Sequence, residues 1–156
     1  MKILGIILLI SLLHFSLFSC ISFHIVSRGY TEDNIVIDKR SGFYLEPIKV
    51  TSFNFKNDDE IAFIMDKKLV FAINSNQIGL AKEKDKSNYI ILPELIINSY
   101  EEKYNQINYY YFSIKIISSE RILCHFTYEY NGMDSIFDGK VQNIMIKKFI
   151  DDLLKL

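Results

Sequence analysis

The side chains able to do chemistry are few and dispersed. Of the three histidines, His14, His24 and His125, only His125 falls in a stretch that reads as part of a folded body, Ile122-Leu123-Cys124-His125-Phe126. A lone imidazole on a strand is a sheet-surface residue before it is a base or metal ligand, because both roles need partners. The acidic pairs Asp58-Asp59, Glu101-Glu102 and Asp151-Asp152 invite a carboxylate-dyad reading. Their settings argue otherwise: the first suits a helix N-terminus, the second a loop or strand end, and the third a helix, where adjacent residues do not face each other. Gly-rich phosphate loops, a Gly-x-Ser-x-Gly elbow, His-Glu-x-x-His and Cys-x-x-Cys are all absent from the sequence. We therefore expect no catalytic residue, no cofactor and no metal ligand set. The most suggestive concentration is of tyrosine: Tyr100, Tyr104, Tyr109, Tyr110 and Tyr111, with Tyr128 and Tyr130 further on. Cross-strand aromatic pairs stabilise a sheet by roughly 0.2–1 kcal/mol each. The same ring, with an apolar body and a wet tip, also suits an interaction face. Tyr109, Tyr111 and Thr127 are the candidates for such a face.

Cys20 and Cys124 are too few for a disulfide framework. Cys124, within a strand-like run, reads as a small buried hydrophobe. Cys20 closes a leader: Met1-Lys2 supplies one positive charge, and Ile3 to Phe18 is apolar but for Gly5, Ser11, His14 and Ser16. Leu17-Phe18-Ser19-Cys20 then resembles the bacterial lipobox; Leu17, Ser19 and Cys20 match it, and Phe18 stands where a smaller residue is usual. The resemblance implies a signal peptide over residues 1–19 and diacylglyceryl transfer to the Cys20 thiol. Each buried methylene of such chains contributes about 0.8 kcal/mol to membrane attachment. A second reading stands beside it. Ile21 to Val26 continues the apolar stretch, and Ile3 to Val26 is long enough to span a bilayer uncleaved, which takes about 20 apolar residues. Either way the remainder lies on the extracytoplasmic side of a bacterial envelope membrane.

About 135 residues then remain to position these groups, enough for one core. The net charge of −1 and the scattered basic residues give no electrostatic footprint for nucleic acid. Residues 20–41 read as lipidated Cys and polar tether, with a short strand at Ile35-Val36-Ile37, and residues 42–156 as a single domain. Phe43 to Val50 is strand-forming, and Pro47 marks an edge or an end. Asn57 and Glu60 form a capping box for a helix whose apolar positions are Ile61, Met65, Leu69, Ala72 and Ile73, with Asp66 and Lys67 opposite. Asn74, Asn76 and Gly79 end it, and Ile78 to Ala81 reads as a short strand. Tyr89 to Ile97 signals a strand interrupted at Pro93. Tyr110, Phe112, Ile114 and Ile116 alternate with Tyr109, Tyr111, Ser113 and Lys115. After a turn at Ser118-Ser119-Glu120-Arg121, Ile122, Cys124, Phe126, Tyr128 and Tyr130 alternate again, which predicts an antiparallel hairpin. Val141, Met145, Phe149 and Leu153 stack on a final helix. The order β-α-β-β-β-α predicts an α+β two-layer sandwich: a mainly antiparallel sheet of about four strands, two helices on one face, and Tyr109, Tyr111 and Thr127 on the other.

This order, with the leader ending at Cys20, Pro47, Gly79 and the amphipathic last helix, is similar to that of small envelope lipoproteins. The families concerned are those related to LPS-assembly lipoproteins (LptE-like) and the auxiliary lipoproteins of envelope ABC transporters. The resemblance implies a non-enzymatic interaction or assembly role with a protein partner in the cell envelope. The competing expectation is a small extracytoplasmic ligand-binding or hydrolytic domain on an uncleaved helix. That would need a concave pocket with convergent polar groups near His125.

Overall fold

The structure, a computed structural model, describes residues 24–33, 35–53, 57–102 and 105–156. The leader, with Leu17, Ser19 and Cys20, lies outside the described residues. Alternation is strongest in the second half of the chain, and there it builds three long strands: β4 (Tyr89–Glu102), β5 (Asn105–Ser118) and β6 (Arg121–Gly132). β5 pairs antiparallel with both neighbours, matching Ile91 with Ile116 and Cys124, Leu95 with Phe112 and Tyr128, and Ile97 with Tyr110 and Tyr130. These side chains share one face of the pleat and are all buried. Three further strands complete the sheet: β1 (His24–Thr31), β2 (Phe43–Leu45) and β3 (Lys49–Ser52). The helices are α1 (Asp58–Ser75) and α2 (Gly139–Leu153).

The protein is therefore α+β, but with six strands rather than about four, in the order β-β-β-α-β-β-β-α. The sheet is mixed, running β1-β6-β5-β4-β2, with β3 also on β4; β2 and β3 lie parallel to β4, the others antiparallel. The parallel pairing of β3 and β4 follows from the connection through α1, since parallel neighbours require a long crossover.

Two departures from the expected order have local causes. Residues 24–31, within the stretch expected as a tether, pair with β6 from His24 opposite Asn131 to Thr31 opposite Cys124. β1 escapes an alternation search because its core-facing positions include small residues. Gly29 lies opposite Phe126, where an added Cβ would sit 3.0 Å from the ring. Ile37, further along the same stretch, is part of the core. The second departure is that β4 runs unbroken through Pro93. The carbonyls of Ile91 and Ile97 accept from Glu46 and Phe53, so this parity of β4 faces β2 and β3. Pro93 has the same parity and falls at the gap between those short strands, where Pro47 also lies. Its missing N–H costs no ladder bond.

α1 buries Ile61, Met65, Leu69 and Ile73 on one stripe, as their spacing predicts. Its capping box does not form: the Asn57 side chain caps no backbone N–H and contacts Glu60 instead, while Asp58 accepts from Ser52 Oγ at 2.6 Å. Nor is Asp66 a solvated residue. It accepts the Ile48 backbone N–H at 2.9 Å beside the β2–β3 gap, and burial raises its carboxyl above the usual range. The helix closes with Gln77 in the left-handed region (φ 57°) and Ile78 N donating to Ile73 O, a six-to-one cap in which glycine is the usual occupant. The region expected as a short strand near Ile78 is reduced to one bridge, Leu80 with Phe43.

The β5–β6 turn places Ser119 and Glu120 at φ 47° and 68°, the two-residue turn that suits the twist of a hairpin. A register shift after Ile116 leaves Leu123 as an extra residue, so Ile122, expected in line with Cys124, is 44% exposed. α2 buries Val141, Met145, Phe149 and Leu153 along its stripe, with Ile146 and Ile150 beside them. Both helix stripes and the buried sheet face form one core.

Candidate functional site

The strand registers lay out the sheet face that the core does not use. One cross-strand row runs Val26, Glu129, Tyr111, Ile96, Thr51; the next runs Arg28, Thr127, Ser113, Glu94, Lys49. A third carries Tyr30, His125, Lys115 and Leu92, and Tyr109 sits between Asn131 and Asn98 toward the end where β1 begins. The residues expected as an interaction face thus do share one: Tyr111 is 37% exposed, while Tyr109 and Thr127 are half-buried among their neighbours. Tyr111 opposes Glu129 and Thr127 opposes Ser113, so the two are diagonal neighbours. The face is polar and apolar by turns, with Arg28 3.6 Å from Glu129 and Lys49 3.5 Å from Glu94. These exposed pairs set a pattern of charge more than they add stability.

The tyrosine concentration divides between two jobs. Tyr110, Tyr128 and Tyr130 lie on the buried face, with the rings of Tyr110 and Tyr130 stacked at 5.4 Å. Their hydroxyls hold the segment that leads into α2, and α2 itself. Tyr110 Oη accepts from Ile136 N at 2.8 Å and donates to Asp134 O at 3.0 Å. Tyr130 Oη donates to the Asp134 carboxylate at 2.7 Å and accepts from Asp134 N at 3.1 Å, and Tyr128 Oη donates to Asp152 at 3.0 Å. Burial pushes all three phenols above the ordinary tyrosine range, Tyr130 up to about 12. Asn108 extends the network, accepting from Ser99 Oγ at 2.6 Å and donating to Met133 O and Asp134 O. Periodicity could assign these tyrosines to the core, but not the Tyr110 hydroxyl to backbone groups 24 and 26 residues away, nor the Tyr128 hydroxyl to Asp152 on α2.

His125 is half-buried on the open face, its Nε2 2.8 Å from Ser113 Oγ. Burial and the neighbouring Lys115 hold its imidazole below the ordinary value, so it is neutral near pH 7. A serine and a neutral imidazole at this distance are the first two members of a nucleophile–base arrangement. Among the described residues no carboxylate bonds the ring to complete it. A hollow of about 310 Å³ is lined by Pro47, Lys49, Pro93, Glu94, Ser113 and Lys115, and His125 does not line it. Asp58 and Asp152, one from each of two acidic pairs, bond separately to Ser52 and to Tyr128 and Lys155; the Glu101 and Glu102 side chains lie outside the described residues. Among the described residues no cluster of metal-ligating side chains occurs, and no helix is long and apolar enough to cross a membrane. Cys124 is fully buried and unpaired, with its thiol pushed up by burial. A groove of about 460 Å³ runs between the helices, floored by Ala72, Ile146 and Ile150 and flanked by Phe71, Lys68 and Lys147.

No protein-family model matches the chain, and no curated protein sequence matches it significantly. Solved structures do share its fold. The PelC dodecamer from Paraburkholderia phytofirmans matches with a TM-score of 0.51 at 10% identity, covering 80% of this chain and 94% of that one. A substituted form of the same dodecamer matches with a TM-score of 0.50 at 9% identity, covering 80% and 93%. A PDZ domain protein from Parabacteroides distasonis gives a TM-score of 0.43 at 10% identity, covering 78% of this chain and 35% of that one. At these identities the PelC likeness is a likeness of fold alone.

Proposed function

We propose that the chain is a lipid-anchored, non-enzymatic interaction or assembly module of the bacterial cell envelope. In this reading Cys20 carries the acyl chains, and both helices cover one face of a two-layer sandwich. The other sheet face, with Tyr109, Tyr111 and Thr127, meets a protein partner. The observation that carries the reading is the open face itself: five strands wide and alternately charged, polar and aromatic, with a hollow of about 310 Å³ beside Glu94 and Ser113 taking up a small part of it. Such a surface suits a broad partner better than a small substrate, which binds in concave sites. The leader, with Leu17 and Ser19 ahead of Cys20, supports the anchor. The shared fold with a dodecameric protein supports testing further copies of this chain as the partner. A hydrolytic reading has the Ser113–His125 contact in its favour and lacks the third group that would orient the ring.

The test compares wild type with Cys20→Ser for incorporation of radioactive palmitate, followed by crosslinked pull-down of wild type and a Tyr109→Ser/Tyr111→Ser variant. Label confined to wild type, and a crosslinked species lost in the tyrosine variant with the fold retained, is the expected result. An unmodified sulfur at position 20 on mass spectrometry would end the lipoprotein reading, and a partner retained by the variant would end the assignment of the face.

A further inference from the structure

The sheet ends differently on its two sides. On one, β2 and β3 are three and four residues long and leave a gap at Pro47. Phe43 is already bonded outward, its N–H to Gly79 O and its C=O to Ala81 N, and the Ile48 N–H is taken by Asp66. Shortness, proline and cover are the means by which folded sheets stop further strands from adding. The β1 side has none of them. β1 is eight residues long, holds no proline or lysine, pairs with β6 in unbroken register, and has no second neighbour among the described residues.

The hydrogen bonds show which groups β1 leaves open. Glu32 N donates to Leu123 O at 2.9 Å, in line with the register that sets Thr31 opposite Cys124. The even-numbered residues therefore exchange their backbone bonds with β6, and Ile25, Ser27, Gly29 and Thr31 each turn a donor and an acceptor outward. Ser27, Gly29 and Thr31 are exposed, so the helix layer stops short of this strand. On the open face Val26 is 46% and Tyr30 58% exposed. A regular strand bare along its edge and on both faces is a template for another strand.

Charge and symmetry decide which strand. Arg28 lies 3.6 Å from Glu129, and Glu32 is paired with Arg121, so the charges along the edge are met within the chain. Such an edge gives a strongly acidic or basic peptide little to select, and a net charge of −1 sets up little repulsion between like copies. Because the opposite edge is closed, a second copy can add only β1 against β1, about a twofold axis, and the pairing ends at two. In the antiparallel register centred on Arg28, Ile25 opposes Thr31 of the second copy and Ser27 opposes its Gly29, so all four outward residues are bonded. Val26 then opposes Tyr30 of the second copy on the open face, a favourable β-branched and aromatic pair. Arg28 opposes its own equivalent, and each guanidinium keeps its Glu129.

We infer that two copies of this chain join through β1, antiparallel about Arg28, into one sheet continuous across both domains. The two open faces become one surface with a Tyr111 on either side of the seam. The inference goes beyond the open-face reading, since neither Cys20 nor Tyr109 nor Tyr111 makes the contact.

The test uses the full-length chain in mild detergent. Arg28→Cys places two thiols opposite each other at a pair without mutual backbone bonds, where Cα atoms stand about 4.5 Å apart, within reach of a disulfide. Mild oxidation should link this variant into dimers about tenfold more than wild type, which carries only the native thiols. Val26→Cys alone, about 14 Å along the strands from its own equivalent, should stay unlinked, and Val26→Cys combined with Tyr30→Cys should link. Ser27→Pro removes an outward N–H and no bond to β6, so it should raise the dimer dissociation constant in sedimentation about tenfold or more with far-UV dichroism unchanged. If Ser27→Pro fails to fold, the cysteine variants judge the inference by themselves. Arg28→Cys that links no more than wild type, linking through Val26→Cys alone, or a dissociation constant unmoved by a folded Ser27→Pro would overturn the inference. A wild-type chain that sediments as a monomer while Ser27→Pro loses a different protein would give the edge to that protein and overturn the second copy as its occupant. No variant here touches Cys20, Tyr109 or Tyr111, so these outcomes are separate from those of the palmitate and pull-down tests.

Discussion

Replacing Tyr110 by Phe removes one oxygen and leaves the ring, its stacking on Tyr130 and its packing in place. The lost hydroxyl is the acceptor for the Ile136 N–H and a donor to Asp134 O. Asp134 O keeps Asn108 Nδ2 at 3.2 Å, so the cost falls on the Ile136 amide, whose residue is fully buried. A buried donor left without a partner costs about 1–3 kcal/mol, and we expect Tyr110→Phe to destabilise by about 2 kcal/mol. That is a large share of a domain's stability but leaves it folded. With a urea dependence of about 2 kcal/mol per molar, the unfolding midpoint should fall by about 1 M. The Ile136 amide should exchange with solvent about 30-fold faster, at 1.4 kcal/mol per decade. Tyr111→Phe, on the exposed face, should stay within about 0.5 kcal/mol of wild type. Equal midpoints for Tyr110→Phe and wild type, or an unchanged Ile136 exchange rate, would refute the claim that this hydroxyl holds the segment leading into α2.

Other predictions rest on separate features. Ser119→Asn combined with Glu120→Gly puts the residues favoured in a two-residue hairpin turn at two left-handed positions. It should stabilise by about 1 kcal/mol, read as a rise in the urea midpoint; no rise would contradict the turn geometry. The His125 imidazole should titrate below 6.5 by NMR, and Lys115→Met should move its midpoint upward, since burial and then Lys115 disfavour the charged ring. The linked stability has a definite sign. A folded pKa below the unfolded one means that the unfolded chain binds more protons, so stability falls as pH drops below about 6.5, and His125→Gln should flatten that fall. A midpoint at or above the ordinary value would remove this argument.

Much of the fold was legible because its strongest signals are local. The period-2 pattern of Tyr110 to Ile116 and of Cys124 to Tyr130, and the four-residue steps of Met65, Leu69 and Ile73 or of Met145, Phe149 and Leu153, each describe one element presenting one face. That Tyr109, Tyr111 and Thr127 would share the opposite face followed from the same parity. Less was visible where the signal depends on a partner. β1 places Gly29 under Phe126 and Ser27 opposite Tyr128, so its small residues fit a neighbour about a hundred positions away and carry no pattern of their own. Pro93 looked like an interruption because its tolerance depends on a gap between β2 and β3, and Ile122 left the core through a bulge that periodicity extrapolates across.

The sequence by itself determined which residues of each strong element turn inward and that two amphipathic helices accompany a hairpin of long strands. Only the tertiary structure decided that residues 24–31 belong to the sheet and that three tyrosine hydroxyls tie the last helix and its approach to the strands. The reason is physical: burial patterns are written into a segment by its own periodicity, whereas the worth of a small residue, a proline or a hydroxyl is set by what the rest of the chain brings against it.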